Sequence, residues 1–173
     1  MTVDIEFSRA NDERETLFGF LASYRKALID KSNGLSDEQA RMTSVPPSDL
    51  TVMGLIRHMA EVERHWFRNV LLGDEAPSLF CGDAHPTGDR DGDFHITSTD
   101  TLLNSIAHLH SEIAIADANL AKFKLDDLAA RESWVGTGVP NLRWIVVHMI
   151  EEYARHCGHA DLVRECIDGV KSE

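Results

Sequence analysis

Cysteine is scarce in this chain: Cys81, Cys157 and Cys166 are the only three in 173 residues, an odd number with no Cys-x-x-Cys pair. That excludes a disulfide framework or a thiolate zinc site as the organising feature. Basic residues are also short, with 17 Lys and Arg against 29 Asp and Glu and a formal net charge of -12. A phosphate-binding surface needs the opposite balance, so no nucleic acid partner is expected. No stretch approaches the roughly 18 uncharged residues of a membrane span. The opening MTVDIEFSRANDERE is polar and acidic, unlike a signal peptide, so no membrane association is expected and the cytoplasm is the expected location. Nothing reads as a strand: turn residues cluster at a few places, and the segments between them carry helical rather than alternating periodicity.

What the chain has in quantity is amphipathic helix and histidine. A first helix is expected from Asn11 to Ser32, where Leu17, Leu21, Tyr24 and Leu28 repeat at helical spacing before Asn33-Gly34. Ser36 and Gln39 have capping-box spacing and predict a short turn of helix. A second long helix should span Thr51 to Leu72, with Leu55, Met59, Val62, Trp66 and Val70 as its core stripe. A third runs from Thr99 or Asp100 to Lys122, with Leu102, Ile106, Leu109, Ile113, Ala116 and Leu120 on one face. The fourth, Asn141 to Asp168, is bounded by an N-cap residue and by Gly169, and buries Leu142, Val146, Met149, Tyr153, Ala160 and Ile167.

Of nine histidines, His58, His65, His148, His156 and His159 fall on two of these helices. On the fourth, with His148 at 0°, Glu152, His156 and His159 fall at roughly 40°, 80° and 20°, one narrow arc beside the apolar stripe. Polar groups at the edge of a core must be hydrogen-bonded or bound to a metal. Glu152 and His156, one turn apart, can reach a single cation, and His58 borders the buried face of the second helix in the same way. His65 lies two turns from His58, about 10 Å, too far to share an ion with it. Cys157 reads as a small core residue, Trp66 and Trp144 as core or pocket walls, and Arg57/Glu61 and Glu151/Arg155 as surface pairs.

Residues 74–96 lack a helical period and form a long polar loop, expected to lie outside the core and to shape access to the site. Asp89, Asp91, Asp93 and Asp100 fit positions 1, 3, 5 and 12 of a calcium loop, but Phe94 replaces the required Gly, so a solvated acidic loop is the preferred reading. His108 and His110 read as surface residues, and ESWVGTGVP as a possible lining for a pocket mouth. Residues 1–173 are expected to form one domain, an all-α four-helix bundle whose site is built from inward side chains on facing helices.

TVMGLIRHMAEVERHWF in the second helix and RWIVVHMIEEYARHCGHADLVRE in the fourth resemble the DinB-like superfamily of four-helix metalloproteins, in particular the mycothiol- and bacillithiol-dependent transferases. The resemblance covers nearly the whole chain. It implies one histidine ligand from the second helix and an i, i+4 pair from the fourth, which map onto His58, Glu152 and His156; Glu at the second position resembles the mycothiol-dependent maleylpyruvate isomerases. Two imidazoles and a carboxylate suit Zn²⁺ and also accept Ni²⁺, Fe²⁺ or Mn²⁺. The implied activity is transfer of a low-molecular-weight thiol, as metal-bound thiolate, to an electrophilic small molecule, with His159 or His148 as proton shuttle. A hydrolase using metal-bound water and a non-catalytic metal-binding stress-response protein are the alternatives. The resemblance also implies pairing as a homodimer.

Overall fold

A computed structural model describes residues 12–85, 87–133 and 135–171. Its first helix, α1 (Glu13–Asp30), starts where the Asp12 carboxylate accepts the Glu15 amide at 2.8 Å; the expected start at Asn11 lies outside the described residues. It stops short of Ser32, because the Ser32 hydroxyl and amide both turn back to the Ile29 carbonyl and Gly34 then takes a left-handed conformation at φ 80°. In α2 (Asp37–Ala40) the reciprocal Ser36–Gln39 capping box forms as its spacing predicts.

The second long helix differs from expectation. It is α-helical as α3 (Val52–Arg64) and continues as a π-helical segment, His65–Val70, whose wider turn shows in the bond from Leu71 N to Trp66 O at 3.0 Å. One extra residue per turn rotates the stripe. Glu63, Phe67 and Leu71 enter the core beside Trp66 and Val70, while Val62 is only partly buried. Farther on, α4 (Leu102–Leu120) is capped by Thr101, one or two residues inside the expected start at Thr99 or Asp100, because the Asp100 carboxylate is committed to Thr97 and Arg57. The last helix, α5 (Leu142–Asp168), has the expected bounds, with Asn141 accepting from Trp144 N and Gly169 closing the end at φ 76°.

The four long helices form an all-α bundle in which α3 packs against both α4 and α5, and α5 against α1. Among the described residues the only β pairing is the isolated bridge Leu128–Asn141, and no helix is long and apolar enough to cross a membrane. Inside the bundle lies a charged network that periodicity does not announce. Arg25 of α1 grips both oxygens of Glu63 at 2.7 Å, Tyr153 of α5 donates to Glu63 at 2.8 Å, and Asp117 of α4 accepts from Arg25 at 2.7 Å. Burial opposes the Arg25 charge, but the Glu63 carboxylate more than compensates and raises its pKa. Four helices are thus tied to one ion pair, Arg25–Glu63.

One of the two expected surface pairs is corrected here. Arg57 is buried rather than a surface partner of Glu61: it bonds the Gly92 carbonyl at 2.9 Å and Asp100 at 2.8 Å and lies over the Phe80 ring. Glu61 instead accepts the Leu79 and Phe80 amides, both at 2.6 Å. The Glu151–Arg155 pair does form at the surface, at 2.6 Å. The 74–96 loop is part of the structure's core edge, since Leu79, Phe80, Phe94 and Ile96 pack on the core and Asp93 is buried.

Candidate metal centre

Helix α3 delivers His58 and helix α5 delivers Glu152 and His156 to the same place. One ligand-type atom from each lies within 4.8 Å of the other two. The sequence reason is periodicity alone: each residue sits one position off an apolar stripe, so packing α3 against α5 brings the three edges together. Glu152 Oε2 is 3.4 Å from His156 Nε2, and the His58 and His156 rings meet edge-on with centroids 4.7 Å apart.

The surroundings orient these side chains. His58 Nδ1 is 2.8 Å from Asp93 Oδ2, which leaves Nε2 as the nitrogen free to coordinate. Burial would raise the Asp93 pKa, but the His58 contact, aided by the Cys81 thiol, keeps it below the usual value, so the carboxylate is ionised and holds its proton-donating partner firmly. Phe94 stacks on the other side of His58 at 4.7 Å. His159 Nδ1 approaches His156 Nδ1 at 3.3 Å, so one of the two donates and the Nε2 of His156 faces Glu152. Burial, with His58 and His159 nearby, pushes the His156 imidazole down to about 3, so it is neutral at any ordinary pH. Two imidazoles, one of them held unprotonated, and a carboxylate with an oriented outer shell are a donor set that fits a divalent ion of the zinc type.

A second group, His148, Glu151 and Glu152, also comes within 4.8 Å. It is the poorer site, because Glu151 is exposed and taken by Arg155 at 2.6 Å. His148 lies 3.5 Å from Glu152 and stacks on Trp144, whereas neither His148 nor His159 joins the His58 trio among the described residues. His65 bonds Ser133 at 3.2 Å on the cavity wall and is pushed down to about 4, by burial first and His148 second. His108 and His110 are exposed, as expected. The calcium-loop carboxylates are dispersed: Asp89 pairs with His95, Asp93 with His58 and Asp100 with Arg57.

Two of the trio, His58 and Glu152, open on a cavity of about 450 Å³ that Trp66, Asp93, Phe94 and His148 also line. Sequence reasoning missed Asp93, reading it as a solvated acid, and missed Cys81, which lines the same cavity. An irregular loop has no period to read; the one available signal is the apolar Phe94 directly after Asp93, which anchors that end of the loop against the core.

A helical bundle carrying a two-histidine, one-carboxylate cluster at the foot of an open pocket defines the class, DinB-like. The family model described as mycothiol S-transferase matches residues 16–169, and the chain belongs to that family. Among curated proteins none matches. One solved structure, described as the conserved protein of locus from Enterococcus faecalis, covers 93% of this chain and 100% of its own, with a TM-score of 0.61 at 14% identity, a likeness of fold.

Proposed function

We propose that this protein transfers a low-molecular-weight thiol of the mycothiol class to an electrophilic small molecule, using one divalent ion, Zn²⁺ by preference, held by His58, Glu152 and His156. The observation that carries the reading is the trio itself, three donor atoms within 4.8 Å of one another, with His58 and Glu152 on the wall of a 450 Å³ cavity and His156 buried behind them. When bound, such an ion supplies acidification of a coordinated thiol, so that a sulfur nucleophile exists at neutral pH. The remaining work belongs to side chains. Asp93 fixes the tautomer of His58, and Trp66 and Phe94 give the cavity an apolar wall. His148, on the cavity wall 3.5 Å from Glu152, is placed to hold a proton, whereas His159 backs His156 and acts through it.

An open cavity side favours turnover over a closed structural site. The test is a cobalt-substituted protein titrated with mycothiol. A sulfur-to-cobalt charge-transfer band is expected; metal retention without that band would reject the thiol reading and favour hydrolysis through water.

A further inference from the structure

Beside the metal-facing cavity lies a second depression, of about 260 Å³, between Leu128, residues 135–140 and the start of α5. Three observations connect it to the site. Val135 lines both cavities. Trp144, a wall of the second, stacks on His148 at 5.1 Å with an interplanar angle of 16° and packs against Trp66 at 5.3 Å, and both of those residues line the first. None of its nine lining residues is charged, in a chain with a net charge of -12.

The shape is held by the backbone. Leu128 pairs with Asn141, and Ala129 N donates to Pro140 O at 2.8 Å, so the segment is closed at its base. Gly136 and Gly138 adopt φ of 81° and 78°, a left-handed conformation that side chains disfavour. The walls stay open to solvent although they are apolar: Leu128 is 66% exposed, Val139 40% and Trp144 39%. Complete small-molecule sites span about 300 to 1,000 Å³. A 260 Å³ annex falls below that range and suits part of a ligand.

We infer that this annex is a subsite for an uncharged aromatic group on the electrophile, seated against Trp144 with its reactive carbon directed past Val135 toward the metal-facing cavity. The inference rests on the transferase reading for its chemistry. For an aryl chloride the step is a substitution: the thiolate sulfur forms a bond to the ring carbon, the carbon–chlorine bond breaks, chloride departs, and the thiol proton passes to solvent or to His148. Among the described residues no cation lines the annex, so a carboxylate-bearing ring finds no partner among them.

The experiment is an NMR titration of the full metal-loaded protein with 2,4-dinitrotoluene, an unreactive neutral aryl probe. Saturable shifts are expected at the Gly136 and Gly138 amides, with Trp144→Ala and, independently, the surface change Val139→Asp each weakening binding at least about tenfold. Absence of saturable shifts at those glycines, or equal affinity in a folded Val139→Asp protein, would overturn the subsite. A kinetic arm separates the two proposals. With mycothiol present, Val139→Asp should raise KM about tenfold for 1-chloro-2,4-dinitrobenzene and leave iodoacetamide unaffected. Equal losses on both electrophiles would count against the subsite. If the wild-type protein joins mycothiol to neither electrophile, the transferase reading fails, while the NMR titration decides the subsite by itself.

Discussion

Asp93→Ala removes the carboxylate that aims His58 without touching any of the three proposed ligands. The bond it deletes is short, 2.8 Å, and charge-assisted, because Asp93 is held ionised. Loss of an outer-shell partner of a metal-bound histidine costs about 10- to 100-fold in metal affinity, or about 1.4 to 2.7 kcal/mol. At saturating metal that loss passes directly into stability, and for a chain of this length it lowers the melting temperature of the loaded protein by about 3 to 10 °C. Asp93→Asn keeps an acceptor oxygen but no charge and should fall near the lower bound. Competition with a chromogenic chelator gives the affinities, and scanning calorimetry of loaded and metal-free forms removes any effect on the fold itself. Asp91→Asn, exposed and two residues away, is the control. Zinc affinity in Asp93→Ala within about twofold of wild type would refute the orienting role.

Metal-free protein should lose stability on acidification. His156 and His65 are depressed to about 3 and about 4, so below about pH 6.5 the unfolded chain takes up protons that the folded chain refuses; stability is present above that pH and is lost as pH falls toward 4. The slope approaches about 1.4 kcal/mol per pH unit only for a fully differential proton and is smaller for partly solvated rings. Urea midpoints measured across that range should fall, with His156→Gln flattening the dependence; an unchanged slope in that variant would contradict the assignment. Glu63→Ala strands Arg25 in the bundle and should cost about 3 to 5 kcal/mol in urea unfolding, against a few tenths for Glu151→Ala at the surface. Comparable losses in the two would mean that the inner network is not buried in solution. Replacing residues 74–96 with a short linker should lower both the melting temperature and zinc retention, because Asp93, Phe94 and Phe80 leave with it; unchanged values for both would return the loop to a purely peripheral role.

The parts of the molecule legible in the sequence are those governed by a single period. Asn141 and Gly169 bracket α5, its apolar residues recur every three to four positions, and Glu152 and His156 sit one step off that stripe, so both the helix and the candidate ligand pair follow from spacing. His58 is legible for the same reason. The π-helical turn at His65–Val70 is not, because a local change of winding is set by tertiary packing and leaves the composition untouched. Nor is the Arg25–Glu63–Tyr153 network, because Arg25 and Glu63 look like ordinary surface charges until three helices close around them, and the periodicity that buries Tyr153 says nothing of its partner. Asp93 is hidden most thoroughly. Its role depends on where an aperiodic loop lands, and its acidic neighbours Asp89 and Asp91 give the segment the composition of a solvated stretch.

Metal content bears most directly on the proposed centre. Wild-type protein equilibrated with Zn²⁺ and freed of excess should retain about one ion per chain by elemental analysis, and His58→Ala, Glu152→Gln and His156→Ala should each lose it while keeping a helical, cooperatively melting fold. His108→Ala, on the exposed side of α4, should retain it. Full zinc occupancy in His58→Ala, or equal losses in His108→Ala, would contradict a site built between α3 and α5.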